Sequence, residues 1–543
     1  MNHNTLSAIL AALLVSASGL LADTIPGGDV SGTWYQSNSP YYIAGDITVP
    51  AGDTLTIEPG VVVQGLVSYG LTVQGWLEAV GTEADSIHFD WGNIRLNNAP
   101  DSSHLVYCTL SGGSMPLRCF NSRPMVSHCA IPSGGLMAVG VYNSSPRISD
   151  CIIENAGIGI DWWGDGGTIS GSTIRRNIEH GVYAGDMPLL TFIDCVIDSN
   201  GGLDSPGPGV MFTSGNLAFT DCVISNNTTW DAAGGGVYCE NGTATFTNCT
   251  ISGNKAANPN GLAGGGGVYL SDAGATFSYC TIADNWGEGG WGWAAGAIAF
   301  DSGASLTIDH CTIDENRSFG SPAPCMCILG SGTAAITNSV ISNHAGNAIY
   351  NNAGALTVEY SDVTSNPAIY GSVPAGFGVL DTVNRNGDSC DVYCNIFMDP
   401  MYADTANNDF HLTAGSPCID AGDPESPPDP DGTIADMGAF FFFQTGLAEG
   451  RLPPDASHEL RPTIVRGVLL WDCQPVSSGE TGGCTRPVLL DAAGRTVMDL
   501  VPGENDVSGL APGVYFCRLA AGFASSAEAQ AQAEAVRKVV IQR

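Results

Sequence analysis

Three groups of residues in this 543-residue chain have the types and spacing to do chemistry. Arg175 and Arg176 lie close in sequence to Asp161, Asp165, His180, Asp186 and Asp194, a mixture of acids, bases and cations suited to proton transfer. An arginine serving as the base would have to lose a proton that its guanidinium holds very tightly. Trp230, Trp286, Trp291 and Trp293 stand among glycines, and Trp162 and Trp163 fall nearby in the register of an earlier repeat. Exposed indoles stack on the apolar faces of sugars, and a row of them on a rigid surface suits an extended polymer. Asp423, Asp429, Asp431 and Asp436 share one Gly-containing loop. Alternate oxygens on such a loop can hold Ca²⁺, although their order is not that of an EF-hand. Each group has a structural reading beside the functional one: Asp favours turns for backbone reasons, and indoles cover the sheet beneath a long loop.

What must position these residues is a repeat. The phrase CIIEN begins at Cys151, CVIDSN at Cys195, CVISNN at Cys222, CTISGN at Cys249, CTIADN at Cys280 and CTIDEN at Cys311. With weaker members at Cys108, Cys129, Ser172, Ser339 and Ser361, the starts are 21, 22, 21, 23, 27, 27, 31, 31, 28 and 22 residues apart. Such a period signals stacked supersecondary units that bury their apolar faces on one another. Apolar and polar residues alternate through Thr245–Ile251, which is strand spacing, and GVY recurs at Gly181, Gly236 and Gly267. Strand, turn, strand, turn in one period predicts one coil of a parallel β-solenoid, each coil about 4.8 Å above the last. The repeated cysteines then point inward as small buried hydrophobes with free thiols, because parallel Cβ vectors on stacked coils have poor disulfide geometry. Cys390/Cys394 and Cys473/Cys484 are the better disulfide candidates. Asn155, Asn177, Asn200, Asn227, Asn254, Asn285, Asn316 and Asn366 are expected to form an amide ladder at a tight turn.

From Asp46 to Phe443 the chain resembles the right-handed parallel β-helix proteins, the architecture of pectate lyases and of many secreted bacterial surface proteins. The resemblance implies an all-β fold, a right-handed parallel β-helix solenoid, and it speaks to fold more than to activity. Lyases of this fold use acidic residues to hold Ca²⁺ on a substrate carboxylate, with an Arg or Lys near the abstracted proton. Hydrolases of this fold use clustered Asp residues; aligning the repeats on GVY brings Asp186, Asp272 and Asp301 to one register, with Glu240 one position earlier. The segment DPMYADTANNDFHLTAGSPCIDAG…MGAF from Asp399 resembles the closing segment of many bacterial β-helix domains. LLDAAGRTVMDL, LAPGVYFCRL and the terminal VRKVVIQR resemble the C-terminal sorting domain of type IX secretion cargo, which implies a small β-sandwich read by that secretion machinery.

The expected organisation is a signal peptide over 1–22, an N-terminal cap with the first coils over 23–93, and repeats over 94–398. A C-terminal cap follows over 399–443, then a linker over 444–460 and a sorting domain over 461–543. Leu6–Val15 is apolar and small residues follow before Asp23, the pattern of a secretory leader. Nothing later is apolar for long enough to span a bilayer. The net charge of −36 with only 18 Lys and Arg argues against nucleic acid and anionic membranes as partners.

Repeat length grows in the middle of the chain, and the extra residues enter after the Asn ladder: Thr228–Ala233, Lys255–Ala263 and Trp286–Ala295. Insertions at one phase gather as loops on one face, often a binding face. These readings predict a protein secreted or attached to the outer surface of a Gram-negative-type bacterium, binding a polysaccharide or cell-surface glycan through its tryptophans. A polysaccharide-degrading enzyme, lyase before hydrolase, is the alternative, and a structural or adhesive surface protein is the third reading.

Overall fold

The computed structural model describes residues 23–444 apart from 66–68, 204, 259–263, 290–293, 302, 320–323, 345 and 365–368, together with the backbone of the strands beyond residue 463. Up to residue 445 the chain is one unit, and Gly446–Arg543 is a second. The leader 1–22, Trp291, Trp293, Asn366, Cys473 and Cys484 lie outside the described residues.

In the first unit each strand pairs in parallel with its counterpart one coil on, building three long sheets of fifteen, fifteen and fourteen strands among the described residues. The rung sheet contains the strand after each repeated Cys, the tyrosine sheet contains GVY, and the phenylalanine sheet closes each coil. Equal residues stack: Ile197 pairs with Ile224, then Ile251, Ile282, Ile313 and Ile341, all completely buried. Phe192, Phe219, Phe246 and Phe277 form a second inner column with ring centroids 4.5–4.9 Å apart. Offset stacking of this kind adds to the burial energy of each ring.

The coil has three strands rather than two, because the alternation through Thr245–Ile251 spans a corner. Gly242–Thr247 belongs to the phenylalanine sheet and Thr250–Ser252 to the rung sheet. Asn248 between them has φ of 53°, and Asp194, Asp221, Tyr279 and His310 take the same left-handed conformation before their own Cys. One left-handed residue turns the chain without disturbing the inward alternation on either side. The repeated cysteines are buried and free, and they also form hydrogen bonds. The Cys195, Cys249 and Cys280 amides each donate to the Sγ of the next rung at 3.4 Å. Ser172, Ser339 and Ser361 accept in the same way through Oγ, which is why Ser and Cys exchange here. Cys390 and Cys394 are also free, not a disulfide.

The amide ladder runs from Asn177 through Asn200, Asn227, Asn254 and Asn285 to Asn316. Each Oδ1 from Asn200 onward accepts the backbone N–H and the Nδ2 of the Asn one coil before, at 2.9–3.1 Å. Asn155 does not belong to it. That residue stands one place earlier, exposed and left-handed at φ 63°, while Ala156 occupies the ladder position and donates its N–H to Asn177. The left-handed residue is the one before the ladder throughout, so the ladder asparagines serve as buried hydrogen-bonding groups rather than as turn formers.

The N-terminal segment over 23–93 begins as coils. Thr24–Ile25 and Tyr41–Ile43 pair in the rung sheet, so this segment already winds as coils. At the other end Phe377 and Phe397 pack on the main core. Residues 399–443 lie along the outer face of the last rungs: the Gly438 amide donates to the Asn338 carbonyl, that of Ala439 to Thr312 Oγ1, and Tyr402 Oη meets Ser342 Oγ at 3.2 Å.

The second unit contains two antiparallel sheets. One joins Ile464–Val465, Val468–Trp471 and Gly503–Asp506; the other joins Thr496–Asp499, Val488–Leu490, Gly513–Arg518 and Val536–Ile541. The GVYF and VRKVVI segments pair over six residues, Gly513 with Ile541 through Arg518 with Val536.

Candidate functional site

The insertions after the Asn ladder do not remain loops at their start. Gly201–Leu203, Thr228–Trp230, Lys255–Asn258, Trp286–Gly289 and Arg317–Phe319 form a fourth, five-stranded parallel outer sheet. Each strand leaves a ladder Asn whose side chain is already fixed, so its first residue is held in register. The middle residues Thr229, Ala256 and Gly287 are buried. Of their neighbours, Thr228, Lys255, Trp286 and Arg317 form one outer row and Trp230, Glu288 and Phe319 belong to a second, in which Ala257 is buried. Trp230 is 46% exposed and Phe319 64%. The Lys255 ammonium lies 4.5 Å from the Trp230 ring centroid and 5.7 Å from that of Trp286. This cation–π bridge ties the two indoles into one assembly.

Beside Trp230 lies an open, shallow depression of about 390 Å³, lined by Ser199, Asn200, Gly201, Gly202, Asn226, Thr228 and the indole. Gly201 and Gly202 form its floor by necessity. A Cβ on either would come within 2.3 Å of a backbone oxygen of a neighbouring coil. Its polar rim is organised by Asp198 on the rung sheet: Asn226 Nδ2 donates to Oδ1 at 2.8 Å, Ser225 Oγ to Oδ1 at 2.8 Å, and Ser199 Oγ to Oδ2 at 2.8 Å. Burial opposes the charge on Asp198, but these hydrogen bonds and the Arg175 charge outweigh it and hold its pKa below the usual carboxylate value.

The anticipated acid–base cluster does not assemble. Arg175 is on the rung sheet and Asp161 on the tyrosine sheet. Arg176, Asp186 and Asp194 are left-handed residues at three different corners of the coil. Arg175 instead pairs with Glu154 through Nε at 2.8 Å and stands in register between Glu154 and Asp198. Neither carboxylate was singled out from the sequence, although both follow the inner Ile of their repeats. The Asp161 carboxylate, buried, accepts from Tyr142 Oη and Trp163 Nε1, each at 2.6 Å. Asp186 accepts from Ser214 at 2.6 Å, and Asp301 accepts from the Ser271 hydroxyl and the Asp272 amide, so these stripe residues act in turns.

Trp162 belongs to the core: it is fully buried and donates Nε1 to the Asp165 carbonyl at 2.7 Å. Trp163 is half-buried and meets Tyr183 edge-on at 5.2 Å. It belongs to an aromatic belt on the outside of the tyrosine sheet, with Phe120, Tyr142, Tyr183, Tyr238 and Tyr269. The GVY motif, which also occurs at Gly140, carries all four of these tyrosines, and the sequence marks it as a strand.

In the acidic loop the carboxylates serve the loop's own amides. Asp436 accepts from Asp420 N and Phe442 N at 2.7 and 2.6 Å, Asp431 from Gln444 N at 2.9 Å, Asp429 from Asp436 N at 2.9 Å, and Asp423 from Glu425 N at 3.0 Å. Burial first, then neighbouring carboxylates, pushes Asp429 up to about 7; burial and Asp420 and Asp431 raise Asp436 to about 6. Among the described residues no group of three His, Cys, Asp or Glu is placed to hold a metal ion.

With this geometry in hand, comparison with known families is decisive for architecture. The family described as the right handed beta helix region matches residues 117–263 and 257–397. The chain belongs to the right-handed β-helix family. A solved relative by fold is the crystal structure of pectate lyase Pel9A, 14% identical, with 72% of this chain and 88% of that one covered and a TM-score of 0.33. No functionally curated protein matches this β-helix chain.

Proposed function

We propose that this β-helix protein is an extracellular or cell-surface glycan-binding module whose sugar-contacting face is the outer sheet. One observation carries the reading: an exposed indole, Trp230, walls a glycine-floored depression on a rigid sheet that repeats coil after coil. Such a surface supplies an apolar face for stacking, a polar rim for hydroxyls, and no need to order a loop on binding. The coil spacing of about 4.8 Å is close to the length of a pyranose ring, so a polymer laid along the solenoid advances about one sugar per coil. The apolar segment Leu6–Val15 and the tail strands Gly513–Arg518 and Val536–Ile541 support export through type IX secretion machinery.

An enzymatic reading has one observation in its favour, the placement of Arg175 between Glu154 and Asp198. The test is a glycan array with the full chain and with Trp230→Ala, paired with an assay for unsaturated uronate products. The binding reading expects capture of at least one glycan, lost in Trp230→Ala, and no product. Product release would replace it with the lyase reading, and capture unchanged in Trp230→Ala would move the site off the outer sheet.

A further inference from the structure

The rim of the depression beside Trp230 has a definite hydrogen-bonding polarity. Ser199, Ser225 and Asn226 each direct a donor into Asp198, so those donors are engaged. Ser199 retains its hydroxyl lone pairs toward solvent, and Asn226 retains its amide Oδ1 and one Nδ2–H, so acceptors outnumber free donors on these two residues. Both residues are exposed and both line the depression. Gly253, on the next coil, keeps Asn226 Oδ1 open, since a Cβ there would approach it to 2.7 Å. The cations on this side of the coil, Arg175 and Arg176, are paired with Glu154 at 2.8 and 3.9 Å, and Lys255 is held over two indoles. A ligand fitting here must bring hydroxyl donors; an anionic sugar would set its own acceptors against acceptors and a carboxylate.

We infer that the depression selects a neutral, hydroxyl-rich sugar of an uncharged polysaccharide over an acidic one, with Trp230 stacking on its apolar face and Asp198 acting as a positioning residue that orients Ser199 and Asn226 as acceptors. This deepens the glycan-binding reading above and rests on it.

The experiment is isothermal titration of the full chain with neutral polymers (xyloglucan, galactomannan, a β-1,3-glucan) and with acidic ones (polygalacturonate, chondroitin sulfate). Between about 50 and about 500 mM NaCl, neutral-sugar binding should change less than about two-fold, because no ion pair is screened. Trp230→Ala should weaken it at least about ten-fold, and Asn226→Ala and Asp198→Asn each about five-fold, with the unfolding midpoint unchanged. Adding Asp198→Asn to the double variant Ser199→Ala/Asn226→Ala should weaken binding little further, since Asp198 acts through those two residues. A purely structural Asp198 would move the midpoint instead. Binding confined to the acidic polymers, falling steeply with salt and lost in Trp230→Ala, would overturn the neutral preference while leaving glycan binding intact. Neutral-polymer binding indifferent to all these variants would overturn the assigned site. Binding to no polymer would overturn this inference together with the reading it rests on.

Discussion

Replacing Asp362 by Asn should make the protein progressively more stable than its parent as pH rises. Asp362 is completely buried where the 399–443 segment meets the last rungs, and its two oxygens face Met398 N at 3.1 Å and Cys418 Sγ at 3.5 Å. Burial, only partly offset by those bonds, raises its pKa from 3.8 to about 8. The unfolded chain releases this proton near pH 4 and the folded chain keeps it, so the associated stability is fully present below pH ~3.8 and lost as pH rises toward ~8. At about 1.4 kcal/mol per unit, the loss reaches about 4 kcal/mol at pH 7, of which about 2.5 kcal/mol accrues between pH 5 and 7. Asn has the same shape, keeps an oxygen for Met398 N–H, and does not titrate. Urea unfolding of parent and variant at pH 5, 6 and 7 isolates this one group, because the other buried carboxylates cancel in the difference. A stability difference that stays constant across those three pH values would refute the assignment of a buried, proton-holding Asp362.

Two further outcomes follow from the stacked interior. Asn254→Ala removes the acceptor of the Asn227 N–H and of one Asn227 Nδ2–H and the side-chain donor to the Ile224 carbonyl, a loss of about 3 kcal/mol or more in denaturant unfolding; a change below about 1 kcal/mol would mean water replaces the amide. Phe246→Ala opens the ring column between Phe219 and Phe277 and should cost about 3–5 kcal/mol by the same measurement, whereas Phe246→Leu should recover most of it.

Much of the solenoid was legible because its inward positions carry one residue type per column. Ile at the second position after each Cys, and Asn at the fifth, needed only alignment on the Cys. What the alignment hid was the corner before each Cys: Asn248 turns the chain by a single left-handed residue while the alternation continues, so two strands read as one. The Cys-based repeat count began only at Cys108 because Tyr41–Ile43 and its neighbours lack that marker, although they pair in the same sheet. Asn155 shows the limit of motif reading, since one residue separates an exposed left-handed turn from a buried ladder.

The candidate site divided along the same line. Trp230 and Trp286 share one face because they follow their ladder Asn by three residues and by one, both odd steps along a strand, which the sequence displays. Trp162 could not be told from Trp163 without knowing which way the strand faces, and a shift of one residue separates the core from the surface. Asp198 was missed because its value lies in the three donors it gathers from its own and the next coil, Ser199, Ser225 and Asn226. Arg175, Asp161, Asp186 and Asp194 are close in sequence yet divided among different sheets and corners, since a coil of about 22 residues carries neighbours around the whole circumference.

The most direct test of the account is amide hydrogen exchange on the full chain with and without a saturating glycan selected by array. New protection should concentrate in Gly201–Leu203, Thr228–Trp230 and the adjoining strands of the outer sheet, with the phenylalanine sheet unchanged. Protection appearing on the tyrosine sheet, or at the acidic loop near Asp429, while the outer sheet stays as before would contradict it.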